Sequence, residues 1–207
     1  MKLLLLLSAL SLGAAPTKPA APATPATLAD IQKQLTPFQV VSGKFTQSKK
    51  IKIITQPLVS SGAFVLAKGK GLLWHTEKPF DATLRITQAG IAELDHGKVN
   101  TLVSTQAQPG MQQVGELLFA VFSGDLKALG AHFTFDAIQA PPGAPWSAVL
   151  RPRDPQVAKF VTSIALRGQK TMHGLTLVEA NGDTTEIAFD AVVVDAKLTP
   201  AQVAQFE

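Results

Sequence analysis

The hydrophobic pattern first indicates an amphipathic helix just before residue 30. Apolar residues recur there at steps of three and four, at Leu28, Ile31, Leu35 and Phe38. This spacing places them on one face of a helix. Thr27 and Asp30 have the spacing of a capping box, in which the two side chains satisfy free backbone N–H groups at the helix start. The sequence therefore predicts a capped helix that begins at Thr27 and ends near Pro37.

From about Ser42 to Val103 the hydrophobic period changes to two. Such alternation is typical of strands with one buried face. After a strand around Phe45, the predicted strands cover residues 62–67, 72–76, 83–87, 91–94 and 99–103. The Gly69-Lys70-Gly71 tripeptide has the composition of a hairpin turn, and Gly90 marks another turn. This part of the chain is therefore predicted to be an antiparallel meander.

The helical period returns between Pro109 and Gly130, and a second group of strands follows. Those strands are predicted at residues 132–138, 146–151, 160–167, 175–180 and 184–194. Asn181-Gly182-Asp183 is a strong hairpin signal before the last of them. The pattern from Thr199 to Phe206 fits one more short helix. The predicted fold class is mainly β with helices, that is, α+β.

Residues 1–15 have the pattern of a secretory signal peptide. Lys2 is followed by an apolar run to Leu12 and by small residues at 13–15. The run is about a dozen residues, shorter than the ~20 that a membrane-spanning helix needs. Residues 16–27 are a Pro/Ala-rich linker, and residues 28–207 are long enough for a single domain. We therefore expect an exported protein; an uncleaved leader that acts as an anchor is the alternative.

The composition favours an apolar cavity. Hydrophobic residues make up 46% of the chain and charged residues only 16%, with a mean hydropathy of +0.19. No membrane span is predicted. The core of a domain of this size usually buries less apolar surface than this composition supplies. There is no cysteine, which excludes disulfides, thiolate zinc sites and cysteine nucleophiles.

The charge distribution argues against nucleic-acid binding. The formal net charge is +4, and the only local basic cluster is Lys49, Lys50 and Lys52. A nucleic-acid site would require a denser basic stripe with interleaved aromatic residues. We interpret the three lysines as a solvated strand edge, where lysine discourages pairing with another sheet.

The sequence contains no recognised catalytic motif. It has no G-x-S-x-G, H-E-x-x-H, Walker or G-x-G-x-x-G pattern. Its four histidines, His75, His96, His132 and His173, fall in separate predicted elements and lack the spacing of paired metal ligands. The prediction is therefore a protein without catalytic residues, metal or cofactor.

Several short motifs, in order, resemble those of the periplasmic outer-membrane lipoprotein carrier family, the LolA family. Phe45 and Gln47 match its F-x-Q, Gly62 and Phe64 its G-x-F strand, and Trp74 and Pro79 its tryptophan five residues before a proline. In the second half, GELLFAVFSGDLKALG resembles its apolar helix and LTLVEANGDTTEIAFDAV its terminal hairpin. The resemblance extends from about Thr27 to Phe206.

This resemblance implies an incomplete, strongly curved antiparallel β-barrel with helices that cover its concave face. It also implies a non-enzymatic, monomeric carrier in the periplasm that holds the acyl chains of a lipoprotein or related lipid. Such a carrier accepts its cargo from an inner-membrane exporter and transfers it to an outer-membrane acceptor. A glycolipid or acylated pigment intermediate is an alternative cargo. A periplasmic adaptor, whose open sheet edge pairs with a partner strand, is an alternative function.

The candidate ligand-binding residues are apolar positions that the strand and helix patterns turn inward. They are Phe45, Phe64, Leu66, Trp74, Leu84, Ile86, Leu117, Leu118 and Phe122. The same pattern fits an ordinary packed core, so the hypothesis concerns the set and not any one residue.

Lys68 is the candidate gating residue, through the same resemblance. Members of the family carry an arginine at this position, followed by a proline, and here the pair is Lys68 and Gly69. In the family the arginine is thought to hold the lid over the cavity. Lysine keeps the charge but loses the planar fork of five donors, which predicts a weaker clasp.

Overall fold

The computed structural model describes residues 26–87, 90–95, 98–104, 119–120 and 125–206. The predicted signal peptide and most of the linker lie outside these residues, as does most of the helical segment predicted between Pro109 and Gly130. Within the described part of the chain, no helix is long and apolar enough to cross a membrane.

The first helix, α1, covers Leu28–Gln34. The Asp30 carboxylate accepts hydrogen bonds from the Thr27 hydroxyl at 2.7 Å and from the Thr27 backbone N–H at 3.0 Å. These bonds from Thr27 hold the pKa of Asp30 below its ordinary value. The predicted start of the helix is therefore confirmed. Its end comes earlier than predicted, because Leu35 is already extended and Pro37 disfavours helix before it.

Three further short helices have both ends within the described residues. They are α2 (Leu126–His132), α3 (Pro155–Ala158) and α4 (Pro200–Phe206). Asp125 begins α2 as its N-cap, where the side chain accepts a hydrogen bond from the Ala128 backbone N–H. The α4 helix confirms the short terminal helix predicted from the sequence.

The described strands form one antiparallel sheet. They are β1 (Val40–Lys50), β2 (Leu58–Ala67), β3 (Gly71–Lys78), β4 (Ala82–Thr87), β5 (Gly90–Asp95), β6 (Lys98–Ser104), β7 (Phe133–Gln139), β8 (Trp146–Pro152), β9 (Val161–Gly168), β10 (Met172–Glu179) and β11 (Thr184–Val194). Their spatial order is β6-β5-β4-β3-β2-β1-β11-β10-β9-β8-β7. Since β6 and β7 are not paired in the described residues, the barrel is incomplete.

Glycine turns separate the strands where the sequence predicts them. Gly69, with a φ of 74°, lies in the turn between β2 and β3, and Gly182, with a φ of 90°, lies in the turn between β10 and β11. Such positive φ values favour glycine over residues with a Cβ. The predicted meander and the predicted terminal hairpin are both present.

The interpretation of Lys49, Lys50 and Lys52 as a strand edge is wrong. Strand β1 lies in the middle of the sheet, between β2 and β11. Lys49 forms an ion pair with Glu179 at 2.7 Å, and Lys50 forms one with Glu186 at 3.5 Å. The error arises because the pairing of β1 with β11, at the other end of the chain, leaves no local signal in the sequence.

The core lies on the concave side of the curved sheet. One cluster of buried apolar residues joins Phe45 and Leu72 of the first sheet half to Trp146 and Leu166 of the second. Residues of α1 and α2 complete the cluster: Ile31, Leu126 and Leu129. Helices therefore cover the concave face, as predicted. The α4 helix instead packs on the convex face, where Arg85 donates a hydrogen bond to the Gln205 carbonyl oxygen at 3.0 Å.

Candidate functional site

Strand register places the candidate strand residues on one face of the sheet. Phe64 lies directly opposite Trp74, and Trp74 lies opposite Leu84. Leu66 in turn lies opposite Leu72, which lies opposite Ile86. Directly opposed residues of antiparallel strands point to the same side of the sheet. Phe45 also lies on this side, because it is two positions beyond Gly43, the partner of Phe64.

The candidate residues differ in exposure along the strands. Leu66 and Ile86, near the turn between β2 and β3, are 0% and 5% exposed. Two residues further along β3 and β4, towards residues 79–81, Trp74 is half-buried and Leu84 is 39% exposed. In the first half of the sheet, the concave face is therefore buried at one end of the barrel, the closed end, and more exposed at the other, the accessible end.

Four aromatic rings meet in the middle of the concave face. Phe45 stacks on Trp74 with ring centroids 3.7 Å apart, and Phe64 meets Phe189 edge to face at 5.2 Å. Trp74 and Phe189 are also edge to face, at 6.3 Å. The cluster joins β1, β2 and β3 to β11. It gives this side of the sheet a continuous aromatic surface without an ionisable group among its members.

Sequence reasoning missed Phe189. The signal is present, because Ile187 and Phe189 alternate with polar residues along β11. What the alternation cannot show is that β11 lies beside β1, with Phe189 directly opposite Phe45. Gly43 also contributes to the site. A Cβ at Gly43 would lie 2.8 Å from the Phe64 ring, so glycine is what allows that ring to lie across β1.

An apolar cavity of about 50 Å³ lies between the concave face and the segment that follows α1. It is lined by Leu35, Thr36, Phe38, Val41, Phe64, Lys170, Thr171, Met172, Phe189 and Val192. Ligand pockets in proteins usually have volumes of roughly 300–1,000 Å³. This cavity is therefore too small to hold an acyl chain without widening.

A larger groove of about 620 Å³ lies on the opposite, convex face beside α4. His75 contacts the Thr83 hydroxyl through Nδ1 at 2.8 Å, and its Nε2 lies 3.6 Å from the Asp81 carboxylate. The Asp81 side chain is 79% exposed, so water screens it and no packing fixes its orientation. This mixed polar lining does not suit an acyl chain, which has no hydrogen-bonding group.

Lys68 lies at the closed end of the barrel. Its Nζ is 4.9 Å from the centroid of the Phe38 ring, within the range of a cation–π contact. Its backbone N–H also donates a hydrogen bond to the Gln39 carbonyl oxygen at 2.9 Å. Lys68 therefore joins the turn between β2 and β3 to the segment that connects α1 to β1.

The remaining candidate residues, Leu117, Leu118 and Phe122, lie outside the described residues. So does His96, whereas the other three histidines are described. Across the described ranges, no group of three or more His, Cys, Asp or Glu side chains is placed to hold a metal ion.

Comparisons with known proteins identify one family. The family model described as outer membrane lipoprotein carrier protein LolA matches residues 36–204. A search of curated proteins found no match.

Solved structures that are similar to this chain include a LolA superfamily protein from Nitrosomonas europaea. It is 8% identical to this chain and has a TM-score of 0.45; the match covers 83% of this chain and 93% of that one. The complex of MucA and MucB from Pseudomonas aeruginosa is also similar. It has 12% identity and a TM-score of 0.48, and the match covers 86% of this chain and 60% of that one.

Proposed function

Because the chain belongs to the outer membrane lipoprotein carrier protein LolA family, we propose that it is a periplasmic carrier for an acylated cargo. The acyl chains bind against the concave face. The protein accepts the cargo from an exporter of the inner membrane and transfers it to an acceptor of the outer membrane. An acylated lipoprotein is the first candidate cargo, and transfer requires no catalytic step.

The observation that supports this proposal most is the aromatic surface of the concave face. Phe45, Phe64 and Phe189 are buried there, while Trp74 beside them is half-buried. An acyl chain gains about 0.8 kcal/mol for each CH₂ group that leaves water. A sixteen-carbon chain therefore gains on the order of 12 kcal/mol before the costs of binding, so apolar contacts alone suffice to hold it.

Cargo binding at the apolar cavity requires that cavity to widen, because its volume is about 50 Å³. The α1 helix is the described element best suited to move. It has only seven residues, and a helix of that length is marginal without packing contacts. Ile31 is its one buried residue, and just beyond it the Thr36 backbone N–H donates to the Lys170 carbonyl oxygen at 2.7 Å. We therefore assign α1 the role of a lid.

Release is the harder part of a carrier's task, since an open and a closed state must have similar free energies. Lys68 contacts the segment after α1 through its charge and the Phe38 ring. Such a contact contributes about 0.5–1 kcal/mol at an exposed site. A clasp of this strength holds the lid without locking it. Because the family's arginine is absent, a glycolipid or acylated pigment intermediate remains the alternative cargo.

Titration with a fluorescent fatty-acyl probe tests the proposal. Energy transfer from Trp74 to the probe is expected to rise and saturate at one site, because that ring lies on the binding face. Trp146 lies elsewhere in the core, so a Trp146→Phe background isolates the Trp74 signal. Probe binding that never saturates, or that is absent, would contradict the carrier function.

The proposed role of Lys68 predicts a change in release rate. Replacing Lys68 with methionine removes the charge but keeps a long apolar side chain. Loss of the cation–π contact with Phe38 is expected to speed release of the acyl probe by roughly two- to fivefold. Lys68→Arg is expected to slow release, because guanidinium adds donors and stacks on aromatic rings.

Lys70→Met is the matched control, since Lys70 is an exposed lysine of the same turn. Stopped-flow displacement of the probe by excess unlabelled fatty acid measures the rates. Equal release rates for the two methionine variants would show that Lys68 does not hold the lid.

A further inference from the structure

Exposed apolar side chains concentrate at one end of the barrel. Of the eight large apolar residues that are exposed within the described residues, six lie at or beside the connections of that end: Ile53, Ile54, Leu58, Val59, Phe80 and Phe160. Three of them are almost fully exposed, with Ile53 at 91%, Phe80 at 80% and Phe160 at 74%. Exposed apolar residues scattered singly need no explanation, but a group at one end does.

Strand directions place these residues together. The segment between β1 and β2 carries Ile53, and the segment between β3 and β4 carries Phe80. Since β1, β2, β3 and β4 are successive antiparallel neighbours, both segments lie at the same end of the sheet. Phe160 precedes β9, whose start lies at that end too, three strands from β1. Strand spacing of about 4.8 Å puts Phe160 roughly 15 Å from the first segment along the rim.

This rim continues the apolar concave face. The exposed fraction rises along β4 from 5% at Ile86 to 39% at Leu84, and it is 80% at Phe80, in the segment before β4. The accessible end of the concave face is therefore the end that bears the exposed side chains. A chain that leaves the concave face at this end passes directly between them.

The charges of the rim are balanced. The described connections of this end, residues 51–57, 79–81, 153–160 and 180–183, carry three basic and three acidic side chains. These are Lys52, Arg153 and Lys159, and Asp81, Asp154 and Asp183, so the formal charge is zero. A partner recognised by charge would require an excess of one sign.

We propose that the rim bearing Ile53, Phe80 and Phe160 is a docking surface for the surface of a lipid bilayer. Three apolar side chains on separate connections offer no continuous shape for a folded partner to match. A fluid bilayer accepts them individually, and its affinity depends on the apolar area inserted. Docking in this orientation brings the accessible end of the concave face to the membrane, so an acyl chain crosses little water during transfer. The role of this docking in cargo transfer rests on the proposed carrier function.

Flotation with vesicles of zwitterionic phosphatidylcholine tests this proposal. The purified protein is compared with a triple variant, Ile53→Ser, Phe80→Ser and Phe160→Ser, which changes no charge. Its partition onto vesicles is expected to fall at least about tenfold, since apolar insertion supplies the affinity. Wild-type binding is expected to change less than about twofold between ~0.05 and ~0.5 M NaCl, because the rim has no net charge to screen.

Val193→Thr is the matched control. Val193 is also an exposed apolar residue, at 55%, but it lies near the other end of the barrel. It should bind vesicles as the wild type does. Absence of wild-type binding, equal binding by the triple variant, or binding abolished by salt would each overturn the proposal. The triple variant should still bind the acyl probe, so membrane docking and cargo binding can fail separately.

Discussion

Replacing Trp74 with glutamate is expected to lower the affinity for an acyl chain on the order of a hundredfold. The change removes the ring that stacks on Phe45 at 3.7 Å. It also places a carboxylate on the apolar face, where an acyl chain would strip it of water without offering a partner. Because Trp74 is only half-buried, the new side chain can reach solvent in the unliganded protein. We therefore expect the fold to persist.

Displacement of the fluorescent acyl probe measures this loss of affinity. The readout is the fluorescence of the probe and not that of tryptophan. Val193→Glu serves as the control, since it makes the same kind of change on the convex face. Trp74→Phe should keep most of the affinity, because an aromatic ring remains. A Trp74→Glu protein that binds the probe as tightly as the wild type would place the acyl chain elsewhere.

Replacing Trp146 with alanine should instead destabilise the protein strongly. Trp146 is 1% exposed and is the largest of the fully buried side chains. Its Nε1 donates a hydrogen bond to the Gln169 carbonyl oxygen at 2.9 Å. Gly168 leaves room for its ring, since a Cβ there would lie 2.6 Å from a ring carbon. Truncation of such a residue costs about 3–5 kcal/mol of unfolding free energy.

For a domain of this size, that loss lowers the thermal midpoint by roughly 6–20 °C. Urea unfolding followed by circular dichroism measures the loss of unfolding free energy. Trp146→Phe should lose much less stability, because phenylalanine keeps most of the side-chain volume. The opposite pattern, with Trp146→Ala as stable as the wild type, would mean that β8 does not belong to the main core. Substitutions at the two tryptophans therefore test binding and stability separately.

Local patterns were sufficient to predict the strands and the fold class. Alternation marks each strand because one face is buried and the other is not, and glycines at positive φ, such as Gly69 and Gly182, mark the turns. The family followed from the order and spacing of weak motifs around Phe45, Phe64 and Trp74. The match of the family model to residues 36–204 confirms it.

Non-local pairing was what the sequence could not supply. The position of β1 in the middle of the sheet depends on β11, and this pairing both overturned the edge interpretation of Lys49 and brought Phe189 into the site. The contact of Lys68 with Phe38 is likewise long-range, and Phe38 was expected on a helix. The exposure of side chains could not be predicted either. Alternation places Leu84 and Ile86 on the same face, but it does not show that Leu84 is more exposed.

The adaptor hypothesis keeps a physical basis in the sheet edges. In the described residues, β6 and β7 each have only one strand neighbour. Their free backbone groups can pair with an extended segment of a partner. Such pairing would not involve the concave face, so it predicts that Trp74→Glu leaves partner binding unchanged.

The carrier account is tested most directly by the content of the protein isolated from its native cells without detergent. Organic extracts of the wild type and of Trp74→Glu are compared by mass spectrometry. The account predicts an acyl lipid or lipopeptide that accompanies the wild type and is lost from the variant, and its mass identifies the cargo class. An empty extract from the wild-type protein, with its fold intact, would contradict the account and favour the adaptor.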